Sequence, residues 1–62
     1  MKLTWYDLEI RNEWEELVWH ERFAVAWKNN AGTYAQAVAD NMRKEGYGPV
    51  HFIITEVYDG NI

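Results

Sequence analysis

The chain has no cysteine and no serine. Without cysteine it has neither disulfides nor a thiolate zinc site, and that composition fits a reducing compartment. Without serine the commonest hydrolase nucleophile is missing, and no GxSxG or cysteine nucleophile replaces it. Long apolar runs are also missing, so no segment approaches the roughly 20 residues of a membrane span. The opening MKLTWYDLE carries a charge at Lys2 with no apolar stretch behind it, unlike a secretory signal. Positive charge is scarce: six Lys and Arg stand against ten Asp and Glu, a formal net charge of −4. That balance opposes binding through nucleic-acid phosphates and opposes docking on an anionic membrane. The expectation is a cytoplasmic protein with neither nucleic acid nor membrane as its partner.

Sixty-two residues make one domain at most, spanning 1–62, and a chain this short is marginal in stability. No Ser/Gly/Pro linker, internal repeat or low-complexity stretch divides it. What the chain does hold is aromatic weight: four Trp, four Tyr and two Phe. Each can bury roughly 150–250 Å².

Along the chain, LTWYDLEIR (residues 3–11) alternates Tyr6, Leu8 and Ile10 with Asp7, Glu9 and Arg11, the period of a half-buried strand. Leu3 and Trp5 have the opposite parity, which suits burial of both faces or a bulge there. RFAVAWK (residues 22–28) alternates Phe23, Val25 and Trp27 with small or basic residues, and the same parity reaches back to Leu17 and Trp19. Residues 13–20 between these patterns read two ways. Asn12 followed by Glu15 is close to a capping box, and a helix would turn Trp14, Leu17 and Val18 inward. The favoured reading is two strands with an irregular or briefly helical connection.

NNAG (residues 29–32) is a turn signal. Thr33 and Gln36 then match a capping box, and Arg43, Lys44 and Gly46 mark a helix end. The inward helix face is Tyr34, Ala35, Val38, Ala39 and Met42. VHFIITEVY (residues 50–58) is apolar on both faces, with Phe52, Ile54 and Tyr58 on one and Ile53 and Val57 on the other, which suits a central strand. The expected fold class is α+β: a single small domain with a three-stranded mixed sheet and one helix packed on one face, in the order β-β-α-β. The βαβ crossover would make the second and third strands parallel. One helix cannot cover both sheet faces, so the opposite face is expected to carry the spare aromatics and to serve as an interaction surface.

His20, Glu21 and His51 are the nearest approach to a metal-ligand set. Adjacent residues on a strand point to opposite faces, and no HExxH accompanies them. No metal and no cofactor is expected. The glycines form neither GxxxxGK nor GxGxxG. The carboxylates cluster instead. Asp7, Glu9, Glu13, Glu15, Glu16 and Glu21 stand against Arg11 alone, a local −5 in a chain of −4, so the remainder sums to +1. A solvated surface explains such a cluster; so does a face that steers a basic partner. Paired-carboxylate catalysis needs a cleft that a chain this small has little room to build, so no enzyme is expected. Trp5, Trp14, Trp19 and Trp27 can be core, anchors for a protein partner, or stacking platforms. Stacking needs a basic groove, and only Arg22 and Lys28 flank Trp27.

In element order, size and acidity the chain resembles phage-encoded inhibitors that bind host enzymes; no motif assigns a family. The resemblance implies a protein partner, and on a nucleic-acid enzyme the acids would occupy a phosphate channel as DNA mimics do. The expected function is a small acidic protein-binding module, an inhibitor or adaptor docking on a basic surface of a larger protein. Its contact residues are expected to be Glu13, Trp14, Glu15, Glu16 and Trp19. The alternative is a structural homo-oligomer whose exposed aromatic sheet face is its own interface.

Overall fold

A computed structural model describes residues 2–57. The elements are β1 (Thr4–Asn12), β2 (Leu17–Val25), α1 (Asn29–Lys44) and β3 (Val50–Glu56). This is the expected β-β-α-β order of a small α+β domain. Tyr58 and the DGN segment of the last strand pattern lie outside the described residues.

The sheet order is β2-β1-β3. Both outer strands pair antiparallel with β1, so β2 and β3 run in the same sense without touching as neighbours. The expected parallel direction is therefore present, but every hydrogen-bonded pair is antiparallel and the sheet is not mixed. The central strand is β1, not the residue 50–58 strand. Packing accounts for the choice. Leu8 and Ile10 are both 0% exposed and are the largest fully buried side chains. Their cross-strand neighbours on the β3 side are Ile54 and Phe52. A β3 on the outer edge of β2 would strip β1 of those neighbours and leave its apolar face at a sheet edge.

The alternation read in β1 holds: Tyr6, Leu8 and Ile10 are buried, while Asp7, Glu9 and Arg11 are half-buried on the other face. Trp5 shares that other face in a regular strand, with no bulge near it. β2 starts at the early limit, Leu17, and ends at Val25, which leaves Trp27 in the link to the helix. The one register slip falls between Ile10 and Arg11, where Ile10 faces Trp19, Arg11 faces Leu17, and Val18 is the extra residue.

α1 begins at Asn29, so NNAG is helical and Thr33 does not cap it. The reason is tertiary. Ala31 is buried in line with Ala35, Ala39 and Met42, one stripe at helical spacing. Burying that first turn outweighs the turn preference of Asn and Gly. Small alanines let the helix sit close on Leu8, Ile10 and Val50 to form the core. Tyr34 is exposed and Val38 only half-buried, at the rim of the expected inward face. The helix closes as the sequence indicates. Gly46 takes φ 96°, its N–H reaches the Arg43 carbonyl, and the Tyr47 N–H reaches the Met42 carbonyl at 3.2 Å. These two bonds are a Schellman motif, which satisfies the last carbonyls and brings Tyr47 back beside Met42.

Candidate functional site

The uncovered sheet face is not the aromatic surface expected. Of the tryptophans, only Trp5 lies on it. Charged and polar side chains occupy much of the rest, beside the exposed apolar side chains of Leu17 and Ile53. Arg22 grips Asp7 through Nε at 2.9 Å, Arg11 holds Glu9 at 2.8 Å, and His51 lies 3.4 Å from Glu15. The Arg22 hydrogen bond holds the Asp7 carboxyl below its ordinary pKa. Cross-strand register produces the first pair: Asp7 faces Arg22, and Glu9 faces His20 two rungs along the antiparallel ladder. His20 stands on this face and Glu21 on the opposite one, as strand alternation requires. Among the described residues no group of three potential ligands converges on a metal position.

The acidic segment forms the tip of the β1–β2 hairpin. The Asn12 carbonyl accepts from the Glu15 N–H at 3.0 Å, and the Asn12 N–H donates to the Glu16 carbonyl at 3.1 Å. Glu15 takes φ 63°, a left-handed position. That pattern is a type I turn closed by a left-handed residue, a standard three-residue hairpin loop. It resolves the helix-or-strand ambiguity of residues 13–20: 13–15 are the loop, Glu16 closes it against Asn12, and the strand runs from Leu17.

Asn12 organises this loop. Its Oδ1 accepts the N–H groups of Trp14 and Glu16, each at 2.9 Å, and its Nδ2 donates to the Glu16 carboxylate at 2.9 Å. From the neighbouring rung, the Arg11 guanidinium donates to the Glu15 carbonyl at 2.8 Å. The tip is thus pinned from beneath, and its side chains stay at the surface, Glu16 held by Asn12 and Glu15 beside His51. Glu13, Glu15 and Glu16 are exposed, and Trp14 projects among them, 72% exposed. Asn12 and Arg11 were not among the expected site residues. The signal was present, since the side-chain acceptor that makes Asn a good helix cap makes it equally good at the first position of a turn.

Trp19 belongs elsewhere. It points to the helix side of β2, into a groove of about 550 Å³ between that strand and α1. The groove exists because α1 lies mainly over β3 and leaves the helix-facing side of β2 partly open. Trp19 and Glu21 form one wall; Val38, Asn41 and Met42 form the floor; Glu45 and Tyr47 close the helix end. The Trp19 indole donates to Glu21 Oε1 at 2.8 Å, and the Tyr34 hydroxyl donates to Glu21 Oε2. The Glu21 bond, with burial and the carboxylate charge, raises the Tyr34 pKa above that of an ordinary phenol. No local sequence signal could assemble this groove, because its residues come from a strand, a helix and a helix cap.

The geometry defines a small antiparallel α+β domain that presents an acidic, aromatic hairpin tip and, separately, an acidic, aromatic groove. No protein-family model, curated protein or solved structure matches the chain. No helix among the described residues is long and apolar enough to cross a membrane.

Proposed function

We propose that the chain is a protein-binding module, an inhibitor or adaptor, that docks its hairpin tip on a basic surface of a larger protein. The observation that carries this is Trp14, 72% exposed amid three carboxylates on a loop already tied down by Asn12 and Arg11. Leaving a large indole in water forgoes its burial, so its presence on a rigid tip needs a reason outside the fold. Rigid presentation lowers the entropy lost on binding. An indole anchor supplies contact area, and the carboxylates steer Arg- and Lys-rich surfaces toward it. Where the partner acts on nucleic acid, the same acids compete for its phosphate-binding positions.

The test is capture from a cell lysate at graded salt, with Trp14→Ala and with Glu13, Glu15 and Glu16 changed to Gln. Retention that falls with salt and is lost in both variants supports the reading. No retention at low ionic strength, or retention indifferent to both variants, overturns it.

Self-association stands second. The observation favouring it is the unpaired outer edge of β2. The centre of that edge, His20-Glu21-Arg22, puts charge on both faces, a device that discourages edge pairing. Sedimentation at high protein concentration decides: a monomeric mass throughout removes this reading.

A further inference from the structure

The groove between β2 and α1 has a composition that its packing does not explain. Its exposed walls are two aromatic rings, Trp19 at 48% and Tyr47 at 53% exposure. Two carboxylates, Glu21 and Glu45, share the rim, and none of the residues lining it is Lys or Arg. Away from the groove and the hairpin tip, four surface carboxylates are paired with cations of the chain itself: Asp7 with Arg22, Glu9 with Arg11, Asp40 with Arg43, Glu56 with Lys28. Glu21 is instead held by two neutral donors, Trp19 and Tyr34, which fix its position and leave its charge uncompensated.

A fixed carboxylate beside aromatic faces is complementary to a cation on an alkyl stem. The stem packs on the apolar floor of Val38 and Met42, and the charge meets the ring faces and the carboxylates. A planar guanidinium fits best, since it stacks on a ring and donates to carboxylate oxygens at once. An inorganic cation gains nothing from the apolar floor.

We propose that this groove is a receptor for an arginine side chain of the partner protein, a second contact beside the hairpin tip. The proposal rests on the reading of the chain as a module for a basic protein surface. It names the side chain that surface inserts and assigns Trp19, Glu21, Glu45 and Tyr47 to holding it. Trp19 then contacts the partner through a different surface from Trp14. Both surfaces select for the same charge, so a single basic partner can engage them together.

The experiment is a nuclear magnetic resonance titration of the full chain, labelled with ¹⁵N. The probe is the acetylated, amidated peptide Ala-Arg-Ala, with its citrulline counterpart as the neutral isostere. The arginine peptide shifts the Trp19 indole N–H and the amides of Glu45 and Tyr47 saturably. The citrulline peptide binds at least about tenfold more weakly. Glu45→Gln, whose side chain is exposed, weakens the arginine peptide several-fold with the remaining spectrum unchanged. Trp19→Leu keeps an apolar wall and both carboxylates but removes the ring face, so the preference for arginine over citrulline falls, read at the Glu45 and Tyr47 amides. Equal binding of the two peptides, no effect of Glu45→Gln, or shifts confined to other surfaces overturns the proposal. Trp14→Ala leaves this titration untouched. No lysate capture by the parent chain, or capture indifferent to Trp14→Ala, with an intact titration therefore counts against the tip alone; Trp14-dependent capture with no arginine titration counts against the groove alone.

Discussion

Replacing Asn12 by alanine tests whether one side chain holds the hairpin tip. The substitution removes the acceptor of two backbone N–H groups, those of Trp14 and Glu16, and the donor to the Glu16 carboxylate. Each hydrogen bond contributes about 0.5–1.5 kcal/mol net. The freed N–H groups lie in exposed residues where water can replace the lost acceptor, which favours the lower part of that range. The bond between two exposed side chains contributes little. The expected loss is about 1–2 kcal/mol, similar to removing an Asn cap from a helix. At about 0.05–0.15 kcal/mol per residue, a chain this size has only about 3–9 kcal/mol in total. The loss is therefore a large fraction and lowers the melting temperature by about 4–8 °C per kcal/mol. Urea unfolding followed by tryptophan fluorescence and far-ultraviolet dichroism measures it. Asn12→Asp is the control. It keeps the acceptor and loses only the exposed donor, so in moderate salt it stays close to the parent. If Asn12→Ala changes stability by less than about 0.3 kcal/mol, or Asn12→Asp falls equally far, the tip is not held as described.

The left-handed φ at Glu15 predicts that Glu15→Gly is more stable than Glu15→Val by about 1–2 kcal/mol, both having lost the carboxylate; equal stabilities refute the strain. Leu8→Ala opens a cavity beneath the helix and costs about 2–5 kcal/mol, enough to bring the chain near its unfolding midpoint in water, which dichroism detects. The Asp7 carboxyl is depressed by Arg22, so its contribution to stability is present above the ordinary carboxylate pKa and is lost as pH falls through the lower folded value. Asp7→Asn should therefore flatten the acid limb of the stability profile and leave the limb above neutrality unchanged. An identical acid limb in parent and variant contradicts the pairing.

Much of the local structure was legible in the sequence because helices and strands have intrinsic periods. The alternation of Tyr6, Leu8 and Ile10 against Asp7, Glu9 and Arg11 specified β1 and its buried face. Ala35, Ala39 and Met42 marked the inner stripe of α1, and Gly46 marked its end through the positive φ that glycine tolerates. The acidic, tryptophan-bearing stretch stood out as a candidate contact from composition alone. Four of its five expected residues, Glu13, Trp14, Glu15 and Glu16, do share one exposed hairpin tip.

Tertiary structure decided what depends on distant partners. Which strand is central depends on whether Leu8 and Ile10 gain Ile54 and Phe52 as neighbours, a pairing more than forty residues away in the chain. NNAG became helix because Ala31 found a core to enter. The choice between helix and loop at residues 13–15 was set by the pairing of β1 with β2, since Asn12 can cap either one equally well. The two tryptophans of the acidic stretch were separated by strand pairing, which left Trp14 on the tip and turned Trp19 toward the helix. Side-chain periods are written locally, but sheet order and grooves arise only when surfaces distant in the chain compete to exclude water from one small core.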